Sequence, residues 1–236
     1  MKIVLVVIGT LVALACIYWS VRFYHFYTIS KGLVKTAVPY ENRSNDFTKT
    51  LLVIGDSTAV GVGAASSSDS MPARVARAIG ATYVENHAVS GAVVADLPNE
   101  LSKATSSQYD FLLVQIGAND SVAWHDASTT ANKLAVILAT APKASQVLVI
   151  SAGDVGAATL LPEPVRPFYT RLTMKYHQEF SRILSAEGYT YVDLSKGPGA
   201  ELFTTEPKTY LAADGFHPSS AGYQLWFDAV QPYLNK

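Results

Sequence analysis

The sequence predicts an α/β fold built on a parallel sheet, preceded by one apolar N-terminal helix. Three observations predict it. Five short aliphatic and β-branched runs recur at intervals of about 30 to 40 residues, the spacing of right-handed β-α-β crossovers. Helical segments fill those intervals, which places helices on both faces of the sheet. Residues 3–21 carry no charge and are almost wholly apolar.

Composition narrows the class further. The chain has 236 residues, enough for one sizeable domain and an appendage. Hydrophobic residues make up 49% and charged residues 16%, which supports a packed core and argues against disorder. A net charge of -1 without a Lys/Arg run speaks against a nucleic-acid surface. Cys16 is the one cysteine, so no intrachain disulfide can form, and no His or Cys pair has zinc-ligand spacing.

Taken in order, the chain opens with the uncharged stretch 3–21 between Lys2 and Arg22. As a helix it rises about 28 Å, close to the roughly 30 Å hydrocarbon core of a bilayer. Tyr18, Trp19, Tyr24, Phe26 and Tyr27 follow where an interfacial aromatic belt would sit. The segment reads as a membrane anchor. The alternative is a removed signal peptide and a secreted domain, because Ala13-Leu14-Ala15 resembles a small-x-small cleavage site. Cys16 after Ala15 also resembles a lipoprotein site, but with Ala13 where that motif has a larger aliphatic residue. Lys2 is outnumbered by Arg22, Lys31 and Lys35, so the positive-inside count does not favour a cytoplasmic N-terminus. Either export signal puts the remaining chain outside the cytoplasm. Residues 28–48 are polar and mixed; the linker is read over 22–48, and the domain is expected over 49–236.

Within the domain, strands are expected over 50–54, 82–86, 111–116, 146–151 and 189–194. Helices are expected over 72–79, 97–104, 127–139 and 167–186. Pro72 suits a first helical turn behind a Ser70 cap. A last helix should follow Ser219 or Ser220 and reach about Tyr233. Its Tyr223, Trp226, Phe227 and Val230 fall at i, i+3, i+4 and i+7, a core-facing stripe.

The residues after the strands carry the chemistry. Gly55-Asp56-Ser57 follows the first run, Val89-Ser90-Gly91 the second, and Gly117-Ala118-Asn119-Asp120 the third. Asp214-Gly215-Phe216-His217-Pro218 lies beyond the fifth. Each motif alone is an ordinary turn. In a parallel sheet, however, these loops leave the same edge, where ligands bind. That edge gathers a serine, an unhindered glycine, an asparagine and an Asp/His pair, the parts of an acyl-transfer site. Asp56 and Asp120 read as loop-holding residues that accept backbone N–H groups. His87, His125 and His177 read as surface or packing residues.

The order and spacing of these four blocks resemble the SGNH hydrolases, or GDSL-type esterases and lipases, over about residues 49–234. The motif positions are Ser57 in Gly-Asp-Ser, Gly91, Asn119 in Gly-x-Asn-Asp, and His217 in Asp-x-x-His-Pro. Gly61 fits the pattern as well, and Thr58 departs from the leucine in the family name. The Gly-x-Ser-x-Gly elbow of α/β-hydrolases is absent. The resemblance implies a three-layer, flavodoxin-like domain with a five-stranded parallel sheet. It implies hydrolysis of a lipid, thioester or acetylated-sugar ester without metal or cofactor. An envelope O-acyltransferase using the same acyl-enzyme is the alternative. Ser57 would be the nucleophile, His217 the base, and Asp214 the carboxylate that orients it. The oxyanion would be met by Ser57 and Gly91 N–H groups and the Asn119 side chain. Trp124 and the apolar connection at 155–167, with Leu160 and Leu161, are expected to shape the acyl pocket.

Overall fold

The computed structural model describes residues 2–44 and 48–234. Residues 45–47 of the expected linker and 235–236 at the end of the expected domain lie outside the described residues. The chain opens with α1 (Lys2–Thr36), then β1 (Asn42–Arg43), β2 (Thr50–Gly55), α2 (Ser57–Val60), α3 (Met71–Ile79) and β3 (Tyr83–Asn86). The middle third holds α4 (Leu97–Leu101), β4 (Gln108–Gln115), α5 (Ala118–Val122), α6 (Ala127–Ala139) and β5 (Lys143–Ile150). The last third holds α7 (Arg166–Ala186), β6 (Thr190–Val192), α8 (Leu202–Thr205), α9 (Pro207–Tyr210) and α10 (Ser220–Val230).

The described strands form one six-stranded sheet in the order β1-β3-β2-β4-β5-β6. Strands β2 to β6 are parallel, in the expected flavodoxin-like order. The expectation of five strands needs a correction. Asn42 and Arg43 pair antiparallel with Val84 and Tyr83 and extend the sheet beyond its β3 edge. Their sequence is polar and has no apolar alternation, so only the open edge of β3 makes a strand of them.

Burial explains why the strands read as continuous apolar runs. Leu51 and Val53 of β2 join one core with α3 and α10 through Met71, Val75, Tyr223 and Val230. Leu52 and Ile54 join the other with α6 and α7 through Leu134, Ile137, Phe180 and Leu184. Both sheet faces are therefore covered, which makes three layers.

Caps fix several helix ends. Ser70 caps α3 by accepting from the Ala73 N–H, and Gly80 ends it at a φ of 72°. Two ends are shorter than expected. After Leu101 the chain tightens into i→i+3 bonds, Lys103 N–H to Glu100 O and Ala104 N–H to Leu101 O, so α4 stops early. Helix α10 gives way at Val230 to a 3-10 turn over Gln231–Tyr233, where Pro232 has no N–H to continue it.

Helix α1 does not stop at Val21 but continues through the expected linker to Thr36. No proline interrupts the segment before Pro39, and Gly32 alone is too weak a breaker. None of its side chains is buried, and the helix is long and apolar enough to cross a membrane. Its far end meets the domain: Leu33, with Ala37 and Tyr40 beyond it, packs against the α3/α10 core.

Candidate active site

The site begins with a turn that only glycine can make. Gly55 ends β2 at a φ of 142°, and a Cβ there would overlap the Gln115 carbonyl oxygen of neighbouring β4. Its N–H donates to Glu100 Oε2 at 2.7 Å, and its carbonyl accepts the Val89 N–H at 2.9 Å. Asp56 N–H then donates to Gln115 O at 2.9 Å. The Asp56 carboxylate accepts the N–H of Thr58 at 2.9 Å and its hydroxyl at 2.7 Å, and so caps α2. A leucine at 58 would lack that hydroxyl, so the departure from the family name supplies a second tie within the turn. Ser57 is left as the first residue of α2, at the carboxyl end of β2.

The partners of Ser57 come from the far end of the chain. His217 Nε2 lies 2.9 Å from Ser57 Oγ, and His217 Nδ1 lies 2.6 Å from Asp214 Oδ2. A carboxylate only accepts, so Nδ1 carries the proton, and Nε2 is free to accept from the serine hydroxyl. Asp214 Oδ1 also accepts the N–H groups of Phe216 and His217, each at 3.0 Å. All three side chains are buried. Burial alone pushes the Asp214 carboxyl up, but the His217 contact and the two N–H groups outweigh it and hold the group below its ordinary value. Asp56 lies close by with a different balance. Burial raises it to about 6 against the pull of its Thr58 hydrogen bonds.

The other loops converge on the same edge. Asn119 Nδ2 donates to Ala92 O at 2.9 Å, which ties the β4 loop to the Gly91 loop and leaves the amide a second hydrogen. Asp120 Oδ2 accepts the Val94 N–H at 3.0 Å and fastens the same two loops. Gly91 sits at a φ of 88° with open space where a Cβ would project. Asp56 and Asp120 thus hold backbone, as expected from the sequence. Three histidines outside the site are engaged: His87 with Glu85 at 3.0 Å, His125 with Asp120 at 3.1 Å, and His177 with the Tyr191 hydroxyl at 2.6 Å.

The cavity beside Ser57 is small, about 50 Å³, and mostly apolar. Ala118, Gly153, Ala157, Ala158, Phe203 and Trp226 are among its walls. Trp124, Leu160 and Leu161 are not. Trp124 is 65% exposed and packs edge-on against Phe168 at 5.7 Å. Leu160 instead donates its N–H to Gly215 O at 3.1 Å, and Leu161 donates to Ala158 O at 3.2 Å. Sequence reasoning read Trp226 purely as a core residue. The signal that could have found it is position, because α10 starts three residues after His217 and must begin beside the site.

The chain resembles known proteins in sequence and in fold. A GDSL-like esterase of Mycobacterium tuberculosis is 26% identical over 191 residues, 76% of this chain. The chain spans 60% of the length of that relative. The fold is that of phospholipase A1 from Streptomyces albidoflavus, with a TM-score of 0.60 and 20% identity over 78% of this chain and 98% of the other. An acetylxylan esterase from Geobacillus stearothermophilus superposes with a TM-score of 0.54 and 20% identity, covering 80% and 95%. Residues 53–225, which run from inside β2 into α10 and include every motif described above, match the GDSL-like Lipase/Acylhydrolase family, and the chain belongs to it.

Proposed function

We propose that the protein is a serine hydrolase that cleaves carboxylic esters through an acyl-enzyme on Ser57. One observation carries the reading: the buried relay from Ser57 Oγ to His217 Nε2 at 2.9 Å and from His217 Nδ1 to Asp214 Oδ2 at 2.6 Å. Family membership supports ester chemistry. The acetylxylan esterase that shares the fold has catalytic mutants in which a serine and a histidine are replaced.

Ser57 Oγ attacks the acyl carbon while His217 Nε2 takes the hydroxyl proton. Asp214 stabilises the imidazolium that forms and keeps Nδ1 protonated. The tetrahedral oxyanion is met by the Ser57 and Gly91 N–H groups and the free hydrogen of the Asn119 amide. Collapse of the intermediate expels the alcohol, which takes the proton from His217. Water then repeats the sequence on the acyl-enzyme and restores the serine. The small apolar cavity at Phe203 and Trp226 is the acyl pocket in this reading.

Helix α1 would span a membrane over 3–21 and hold the domain at 49–236 on the extracytoplasmic side. The protein should then sediment with membranes and resist salt extraction, and a mature N-terminus at Cys16 or later would show removal instead. The activity itself is tested with a panel of p-nitrophenyl esters. Wild-type protein should turn over, and Ser57→Ala should lose the activity at an unchanged melting temperature. A Ser57→Ala protein with wild-type turnover ends the esterase reading.

A further inference from the structure

We propose that Arg22 and Phe26 of α1 are positioning residues for the Asp214–His217 turn, so that the N-terminal helix is a working part of the active site and not only an anchor. The inference rests on the reading of His217 as the base.

The geometry begins with the Arg22 guanidinium. Nη2 donates to the Thr159 carbonyl at 3.1 Å. The guanidinium carbon lies 4.7 Å from the Phe26 ring centroid and 5.5 Å from that of Trp19. Two aromatic faces therefore fix where the cation points. The segment that Arg22 holds is itself fastened to the catalytic turn. Leu160 N–H donates to Gly215 O at 3.1 Å, and Thr159 Oγ1 donates to the same oxygen at 3.4 Å.

Gly215 stands between Asp214 and His217 at a φ of 63°. A Cβ built there would run into Thr159 Oγ1 and would come within 3.2 Å of the Phe26 ring. The turn is thus faced closely by Phe26 and held by Arg22 through Thr159 and Leu160. The next residues of that turn are those whose N–H groups orient the Asp214 carboxylate, Phe216 and His217.

A cavity of about 550 Å³ lies beside these contacts, with Arg22, Phe26, Thr159, Leu211, Ala212 and Gly215 among its walls. Two side chains of α1 thus reach the turn and its neighbouring segment. Loss of either should change the turn's position far more than the stability of the domain, whose cores lie elsewhere.

The test uses the full-length protein in detergent micelles with p-nitrophenyl acetate. Arg22→Ala and Phe26→Ala should each lower kcat by about tenfold, the scale of a small displacement of a catalytic group. KM should stay within about twofold. Arg22→Lys, which keeps a cationic donor, should recover part of the loss. Tyr24→Ala, on an exposed part of the same helix turn, should leave kcat unchanged. A second readout needs no turnover: the low-field proton resonance of His217 Nδ1–H bonded to Asp214. It should broaden or move upfield in Arg22→Ala and stay in place in Tyr24→Ala. If wild-type protein cleaves no ester while the resonance still responds to Arg22→Ala, the esterase reading falls and the positioning role stands. Wild-type kcat per folded molecule and an unmoved resonance in Arg22→Ala and Phe26→Ala would overturn the inference, whatever their melting temperatures.

Discussion

Glu100 Oε2 accepts the N–H of Gly55 at 2.7 Å, so a carboxyl from α4 supports the residue two positions before the nucleophile. Burial raises this carboxyl to about 7 even though the Gly55 hydrogen bond pulls it down. Asp56, a neighbour along the turn, is raised to about 6 by the same cause. Both folded-state values exceed the unfolded ones, so between these limits the native state binds more protons than the unfolded chain. Stability contributed by these two groups is therefore present at acid pH and is lost as pH rises through about 4 to 7.

The depressed carboxyl of Asp214 acts with the opposite sign, since its contribution is lost as pH falls below its ordinary value of 3.8. In thermal unfolding across pH these two groups should accordingly lower the melting temperature from mildly acidic toward neutral pH, a fall that the His177 imidazole, itself lowered by burial, opposes. Glu100→Gln should flatten that fall. An unchanged slope in Glu100→Gln would remove Glu100 as its source.

Asn119 has two tasks that kinetics can separate. Its amide holds Ala92 O, and its second hydrogen is assigned to the oxyanion. Asn119→Ala should lower kcat by roughly a hundred- to a thousandfold with little change in KM, the usual effect of losing one oxyanion donor. It should also lower the melting temperature modestly, by the loss of one hydrogen bond worth about 1 kcal/mol. Asn119→Asp should be slower still, since a carboxylate would face the oxyanion with like charge. If kcat per folded molecule stays within a factor of a few while stability drops, Asn119 serves only the loop.

The cavity beside Ser57, about 50 Å³, sets an expectation for acyl length. A space this small is expected to favour short acyl tails over long ones. Initial rates on a series of p-nitrophenyl esters should fall steeply with chain length. Trp226→Leu, which keeps an apolar side chain in the core while removing the indole wall, should flatten that series. Trp124→Ala should leave it unchanged, because the Trp124 ring lies against Phe168 and outside the cavity. Equal rates on acetyl and octanoyl esters in wild-type protein would contradict the assignment.

The sequence by itself determined the parallel sheet, the helices on both faces and the meeting of Ser57, Asn119 and His217 at one sheet edge. The physical reason is local. Leu51 to Ile54 are buried on both faces, so the strand is a continuous apolar run, and alternation with helices leaves little freedom in topology. The extension of α1 to Thr36 has a local cause too, in the absence of a strong breaker before Pro39. Other features depended on residues far apart in sequence. Asn42 and Arg43 become a strand only because β3 offers them an edge. Trp226 and Phe203 become walls of the cavity because α8 and α10 arrive beside the Ser57 turn, while Trp124 lies outside it against Phe168. Glu100 meets Gly55, and Arg22 meets Thr159, across 45 and 137 positions of the chain. No spacing rule announces such pairs, because each is fixed by how separately formed elements pack, and that packing exists only in the tertiary structure.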